Sequence, residues 1–325
     1  MAGPIGALAV SGTSSATPKV MKEYMIPGAP TAPEAIVVGE DGAMWFTEAR
    51  ADAIGRFDKP AATQFTSYAL PTANAKPVGL CVGPDGLWFT EKNANQIGHI
   101  TMKGKITEYP IPIKDSHPFW IVEGPDGALW FTQRTADAIG RIMPSGAVKE
   151  YQLAPTFPAG STPEEITVGP NGNLWFTLLF GNAIGELNPT NGKIKTFPLP
   201  HANSQPLGIT SSASVLWFTE RKGDRIGQIT VTGQITENQI PTKKAKPAGI
   251  VTLGNRVWFA EKMADQLGVL TMGTAQAQPA FKEYPLLTPN AHPFGISLGP
   301  AKDSLRVTEH ATGEIAVLPL LPIGG

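Results

Sequence analysis

Few residues in this chain are of a type and spacing able to do chemistry, and they gather at two kinds of position. Four of the five histidines, His117, His201, His292 and His310, fall beside a proline or just after a repeated Trp-Phe-Thr-like triplet. Imidazole is the side chain suited to moving a proton near neutral pH. Glu34 and Glu164 each follow a proline directly. A carboxyl against an apolar wall keeps its proton to higher pH and so serves as acid or base. His292, His310, Glu34 and Glu164 are therefore the candidate catalytic groups. His292, His310 and Glu309 together make a candidate metal set, one that suits a transition ion better than magnesium because imidazole is the softer ligand. Glu164 and Glu165 are adjacent, so on a strand only one of them faces the site. Solvated loop histidines and turn-capping carboxylates are the competing reading of all of these.

Candidate binding residues are apolar and aromatic: Phe119, Trp120, Phe294 and Leu207, with His117 beside them. Trp120 replaces a glycine that the same position carries elsewhere in the chain, as either a stacking surface for a ligand or a structural plug. There is no Cys-x-x-Cys, His-Glu-x-x-His, Gly-x-Ser-x-Gly or phosphate-binding Gly-rich motif, so zinc-protease, serine-nucleophile and nucleotide chemistry have no support and no nucleotide cofactor is expected.

The elements that must position these groups repeat. A Trp-Phe-[Thr/Ala] triplet recurs with its tryptophan at Trp45, Trp88, Trp130, Trp175, Trp217 and Trp258, and Arg306 holds the same register, at spacings of 41 to 48 residues. Each copy opens on a Pro-x-Gly-Ile-like segment and continues through a Gly-rich turn such as Gly83-Pro84-Asp85-Gly86. The triplet strand follows, then a strand around Ile-Gly and an alternating strand such as Lys105-Ile106-Thr107-Glu108-Tyr109. Four short strands per repeat of this length predict a β-propeller. The last repeat lacks its fourth strand, and Lys19-Val20-Met21-Lys22-Glu23-Tyr24 supplies one. The fold class is therefore all-β: a seven-bladed propeller of four-stranded antiparallel blades, closed by the N-terminal strand joining the last blade. Residues 19–325 are expected to form one propeller domain, with 1–18 a disordered extension.

Composition bounds the partners. The 325 residues carry 26 Lys+Arg against 27 Asp+Glu, a net charge of −1, which leaves no electrostatic footprint for nucleic acid or an anionic membrane. No apolar run approaches a membrane span. The N-terminus has no basic leader, which points to the cytoplasm. One cysteine, Cys81, excludes an internal disulfide. The expected partner is a small molecule, and the expected state a monomer.

The pattern Gly-Pro-Asp-Gly-x-Leu-Trp-Phe-Thr-Glu, then Ile-Gly-Arg-Ile, then Ile-Thr-Glu-Tyr-x-[Leu/Ile]-Pro resembles the streptogramin B lyase (virginiamycin B lyase) family over about residues 19–320. The resemblance implies a seven-bladed propeller that opens a cyclic depsipeptide by elimination. It also implies a magnesium ion and a histidine in the last blade. The family's catalytic histidine slot falls on Phe294, and a second histidine slot falls on Ala248. A metal-binding glutamate slot falls on His292, another on Glu309 or His310, and an aromatic slot on Glu34. Without those histidines, streptogramin lyase activity itself is not expected. The first expectation is an enzyme of specialised metabolism that binds a largely apolar small molecule at the channel mouth and performs non-hydrolytic acid–base chemistry: elimination, isomerisation or cyclisation. A non-catalytic ligand- or protein-binding propeller, a metal-dependent lactone hydrolase, and a scaffold whose activity has lapsed are the alternatives.

Overall fold

The computed structural model describes residues 21–28, 31–58, 64–153, 157, 159–273 and 279–320. The expected extension at 1–18 lies outside them. Among the described residues every regular element is a β-strand, and the strands form seven four-stranded antiparallel sheets.

Each innermost strand starts at the repeat proline: Pro33–Val38, Pro77–Gly83, Pro118–Glu123, Pro163–Val168, Pro206–Ser211, Pro247–Leu253 and Pro293–Leu298. A proline fits the first position of a strand because the missing N–H is not needed there. The second strand of the first six blades carries the Trp-Phe-[Thr/Ala] triplet, and its Phe faces the glycine of the third strand, as Phe89 faces Gly98; in the last blade Val307 faces Ala316. A Cβ on Gly98 would lie 2.1 Å from the Phe89 ring, so the Ile-Gly motif recurs because a ring occupies the space of a side chain. In five of the blades the tryptophan packs against an aromatic of the outer strand, as Trp88 on Tyr109 at 5.6 Å and Trp175 on Phe197 at 5.3 Å. The tryptophan rings are buried, their outer-strand partners half-buried, and together they form the cores between blades.

Closure is as the repeat count requires. Lys22–Met25 pairs antiparallel with Glu314–Pro319 as the outer strand of the last blade. Blades are also joined near the channel. The triplet threonine of one blade donates to an inner-strand carbonyl of the next, as Thr132 does to Glu164 at 2.6 Å.

Candidate functional site

The repeat places two positions from every blade around one end of the channel. The first is the residue after the inner-strand proline: Glu34, Val78, Phe119, Glu164, Leu207, Ala248 and Phe294. Five of these pack into one apolar cluster, Val78, Phe119, Leu207, Ala248 and Phe294. The second follows the Trp-Phe-Thr-Glu glutamate or its equivalent: Ala49, Lys92, Arg134, Leu179, Arg221, Lys262 and His310. Residues from all seven blades enclose a cavity of about 200 Å³ at this mouth, lined by Glu34, Val78, Phe119, Glu164, Leu207, Phe294, Lys92, Arg134, Leu179, Arg221, Lys262 and His310, together with Lys76 and Lys246.

The cavity has an apolar floor and a cationic wall. Arg134 stacks over the Phe119 ring at 4.5 Å, and Lys262 over Phe294 at 4.7 Å. Arg134 also lies 2.5 Å from Glu164 Oε1, a short ion pair. Among the described residues no carboxylate lies within ion-pair distance of Lys76, Lys92, Arg221, Lys246 or Lys262. Burial and the neighbouring Arg134 and Lys76 hold the Lys92 ammonium below its ordinary value, and burial lowers Lys262.

Three titratable groups of the other kind share this space. Burial pushes the Glu164 carboxyl up to about 7 against the opposing pull of Arg134. Glu34 is also raised by burial. His310 Nδ1 sits 3.9 Å from Glu34 Oε1, and its ring lies 6.2 Å from that of Phe294. Burial, with Lys262 and Arg50 nearby, lowers the imidazole to about 4, so it is neutral at pH 7. Glu165 turns the other way, as strand alternation requires, and accepts from the Ile209 N–H at 3.2 Å.

The other candidate residues lie elsewhere. His292 is held by its backbone: its N–H donates to Asp265 and its carbonyl accepts from the His310 N–H. Its side chain is not part of the mouth lining. His117 lines a neighbouring recess with Lys92, Arg134 and Phe180. Trp120 is absent from the cavity lining and packs against three apolar clusters, that of the floor and those of the flanking blades. Glu309 points into its own blade, where it accepts from the Thr312 hydroxyl at 3.2 Å and groups with Glu23 and Glu314. Those three are the one set of at least three His, Cys, Asp or Glu side chains close enough to share an ion among the described residues. Three of the other triplet glutamates behave alike: Glu48 accepts from Ser67, Glu220 from Arg225, and Glu261 from Gln266, all within the blade, while Glu91 is buried with neither oxygen hydrogen-bonded among the described residues.

The magnesium that the resemblance implies finds no matching donor set at the mouth. A hard cation needs several oxygen ligands. Here two carboxylates, one already paired, face six cationic side chains.

Comparison with known proteins places the chain. The family model of the virginiamycin B lyase family matches residues 19–318. Virginiamycin B lyase of Nocardia farcinica (strain IFM 10152) is 29% identical over 214 residues, a match that spans 66% of this chain and 56% of that protein. A crystal structure of selenomethionine-substituted virginiamycin B lyase from Staphylococcus aureus is 37% identical with a TM-score of 0.84, covering 93% of this chain and 99% of that one. A streptogramin B lyase structure is 38% identical with a TM-score of 0.85, covering 93% and 98%. A catalytically inactive histidine-to-alanine variant of the S. aureus enzyme, crystallised with quinupristin, gives 37% and 0.84, covering 93% and 99%. With seven blades, the repeat motifs and a family match over nearly its whole length, this chain belongs to the virginiamycin B lyase family.

Proposed function

We propose that this propeller acts on a small molecule at the channel mouth by non-hydrolytic acid–base chemistry: elimination, isomerisation or ring closure. The observation that carries this reading is the meeting of Glu34, Glu164 and His310 in one cavity over an apolar floor. Buried groups whose environments push them apart are the usual makings of an acid–base site. Glu164, which titrates near neutrality, is the group placed to take or return a proton. His310 is neutral and offers a hydrogen bond from the opposite side, steadied by Glu34. No serine, cysteine or metal-borne water is called upon.

The family relatives are named for opening streptogramins, and one is inactive without a histidine. Here the corresponding position, by the resemblance in the sequence, is Phe294, so the chemistry is assigned to a different substrate. Mass spectrometry of a panel of cyclic esters, lactones and organic acids incubated with the protein tests the reading. Elimination within a ring or isomerisation yields a product of unchanged mass, and Glu164→Gln abolishes it. A product heavier by one water would instead establish a hydrolase, and binding without conversion a non-catalytic propeller.

A further inference from the structure

We propose that the ligand of the mouth is a small organic polyanion: an apolar body resting on the Phe119–Leu207–Phe294 floor, with two or more carboxylate groups held by the cationic ring above it. This names the substrate class of the site proposed above and rests on that cavity being the working one. The net charge of the chain is −1, so basic residues have no general excess to distribute. Yet the mouth gathers Lys76, Lys92, Arg134, Arg221, Lys246 and Lys262 against only Glu34 and Glu164.

The gathering is built rather than incidental. Four of the six occupy one repeat position, directly after the triplet-strand terminus in blades two, three, five and six, so the propeller's rotation aims them at one axis. The other two, Lys76 and Lys246, precede an inner-strand proline and hold a positive φ of 54° and 50°. Asp52 and Asp224 of the preceding blades fix that backbone by accepting the Lys76 and Lys246 N–H groups at 2.9 and 3.0 Å. Among the described residues, Arg134 alone of the six has a carboxylate partner, Glu164. Like charges crowded into a recess of about 200 Å³ repel one another, and an anion entering among them relieves that repulsion. Carboxylates accept charge-assisted hydrogen bonds from Lys and Arg, and Arg221 offers the planar fork that grips them in pairs. The apolar floor requires something more than a bare inorganic ion.

Isothermal titration calorimetry on the full chain tests this with phthalate, which joins two carboxylates to a ring, against phthalamide, its neutral counterpart. Inorganic phosphate is the third probe, all at matched ionic strength. Phthalate is expected to bind one per chain, about tenfold or more tighter than phthalamide. Phosphate is expected to bind more weakly than phthalate because it leaves the floor uncovered. Arg221→Met and Lys262→Met are each expected to weaken phthalate about tenfold or more at unchanged melting temperature. Lys193→Met, on an exposed turn of blade four, leaves the affinity as it was. Equal binding of phthalate and phthalamide, or affinity that survives both mouth substitutions, overturns the proposal. Failure of the acid–base reading looks different. Glu164→Gln, which removes a competing negative charge, retains or tightens phthalate binding even where it abolishes turnover. A neutral compound converted at unchanged mass by a protein that ignores phthalate would sink the polyanion and leave the acid–base chemistry standing.

Discussion

The Thr308 hydroxyl donates to the Glu34 carbonyl at 2.7 Å across the junction between the last blade and the first, and accepts from the Gly295 N–H at 2.8 Å. The same bond joins Thr47 to Val78, Thr90 to Phe119, Thr177 to Leu207 and Thr219 to Ala248. Its acceptors are the carbonyls of the residues that face the mouth, so the staple that closes the ring also sets the geometry of the cavity. Ala260 interrupts it between blades six and seven.

Thr308→Val keeps the shape and removes both hydrogen bonds, leaving two buried backbone groups unsatisfied. A loss of about 1–3 kcal/mol is expected, read as a lower urea midpoint. A midpoint unchanged by the substitution would show that strand pairing alone closes the ring.

Gly98→Ala puts a methyl group 2.1 Å from the fully buried Phe89 ring. Overpacking of this kind costs about 1–3 kcal/mol or more. The expected outcome is a lower melting temperature, with Phe89→Leu in the same background restoring part of it.

The tryptophan at position 120 is the case in which sequence left two readings open. Its contacts with three clusters and its absence from the cavity lining favour the plug. Trp120→Ala is expected to cost about 3 kcal/mol of stability and to leave phthalate affinity within about twofold. A selective loss of affinity at unchanged stability would make it a ligand-stacking residue.

Stability is expected to fall as pH rises, the reverse of the usual carboxylate behaviour. Glu309 is pushed up to about 9 by burial and by Glu23 and Glu314, and burial raises Glu91 and Glu165 to about 8. In the unfolded chain these groups ionise near 4.5, so between there and pH 8–9 the folded state binds more protons. Their contribution is complete below about pH 4.5 and is lost progressively toward pH 9. Urea titrations at pH 5, 7 and 9 are expected to show a decline on the order of a few kcal/mol. Glu309→Gln, neutral at every pH, flattens the slope; a stability that rises from pH 5 to 9 would contradict the assignment.

The fold was legible because its signal repeats seven times: Trp45 to Trp258 fix the period, and the missing last outer strand predicts a strand over Lys19–Tyr24, which the structure has at Lys22–Met25. Part of the mouth was legible too, since Glu34, Glu164, Phe119, Leu207 and Phe294 share one repeat position and the structure brings them into one lining. The cationic ring was not. Lys92, Arg134, Arg221 and Lys262 recur from blade to blade, and recurrence reads as structure, as it does for the glutamates that precede Lys92, Arg221 and Lys262. The distinction lies in direction. Alternation along the triplet strand sends Glu91 into its blade and Lys92 toward the axis, and a one-residue step separates a core group from a ligand-facing one. The cavity is consequently far more basic than the largely apolar mouth the aromatic residues suggested.

The most direct measurement is the titration of His310 by NMR on histidine-labelled protein, assigned by loss of its signal in His310→Gln. An imidazole buried among the mouth cations titrates at about 4, well below its ordinary value, and stays neutral from pH 6 to 8. A midpoint at 6.5 or above would mean that His310 faces water, outside the cationic ring, and would contradict the placement of the site at the channel mouth.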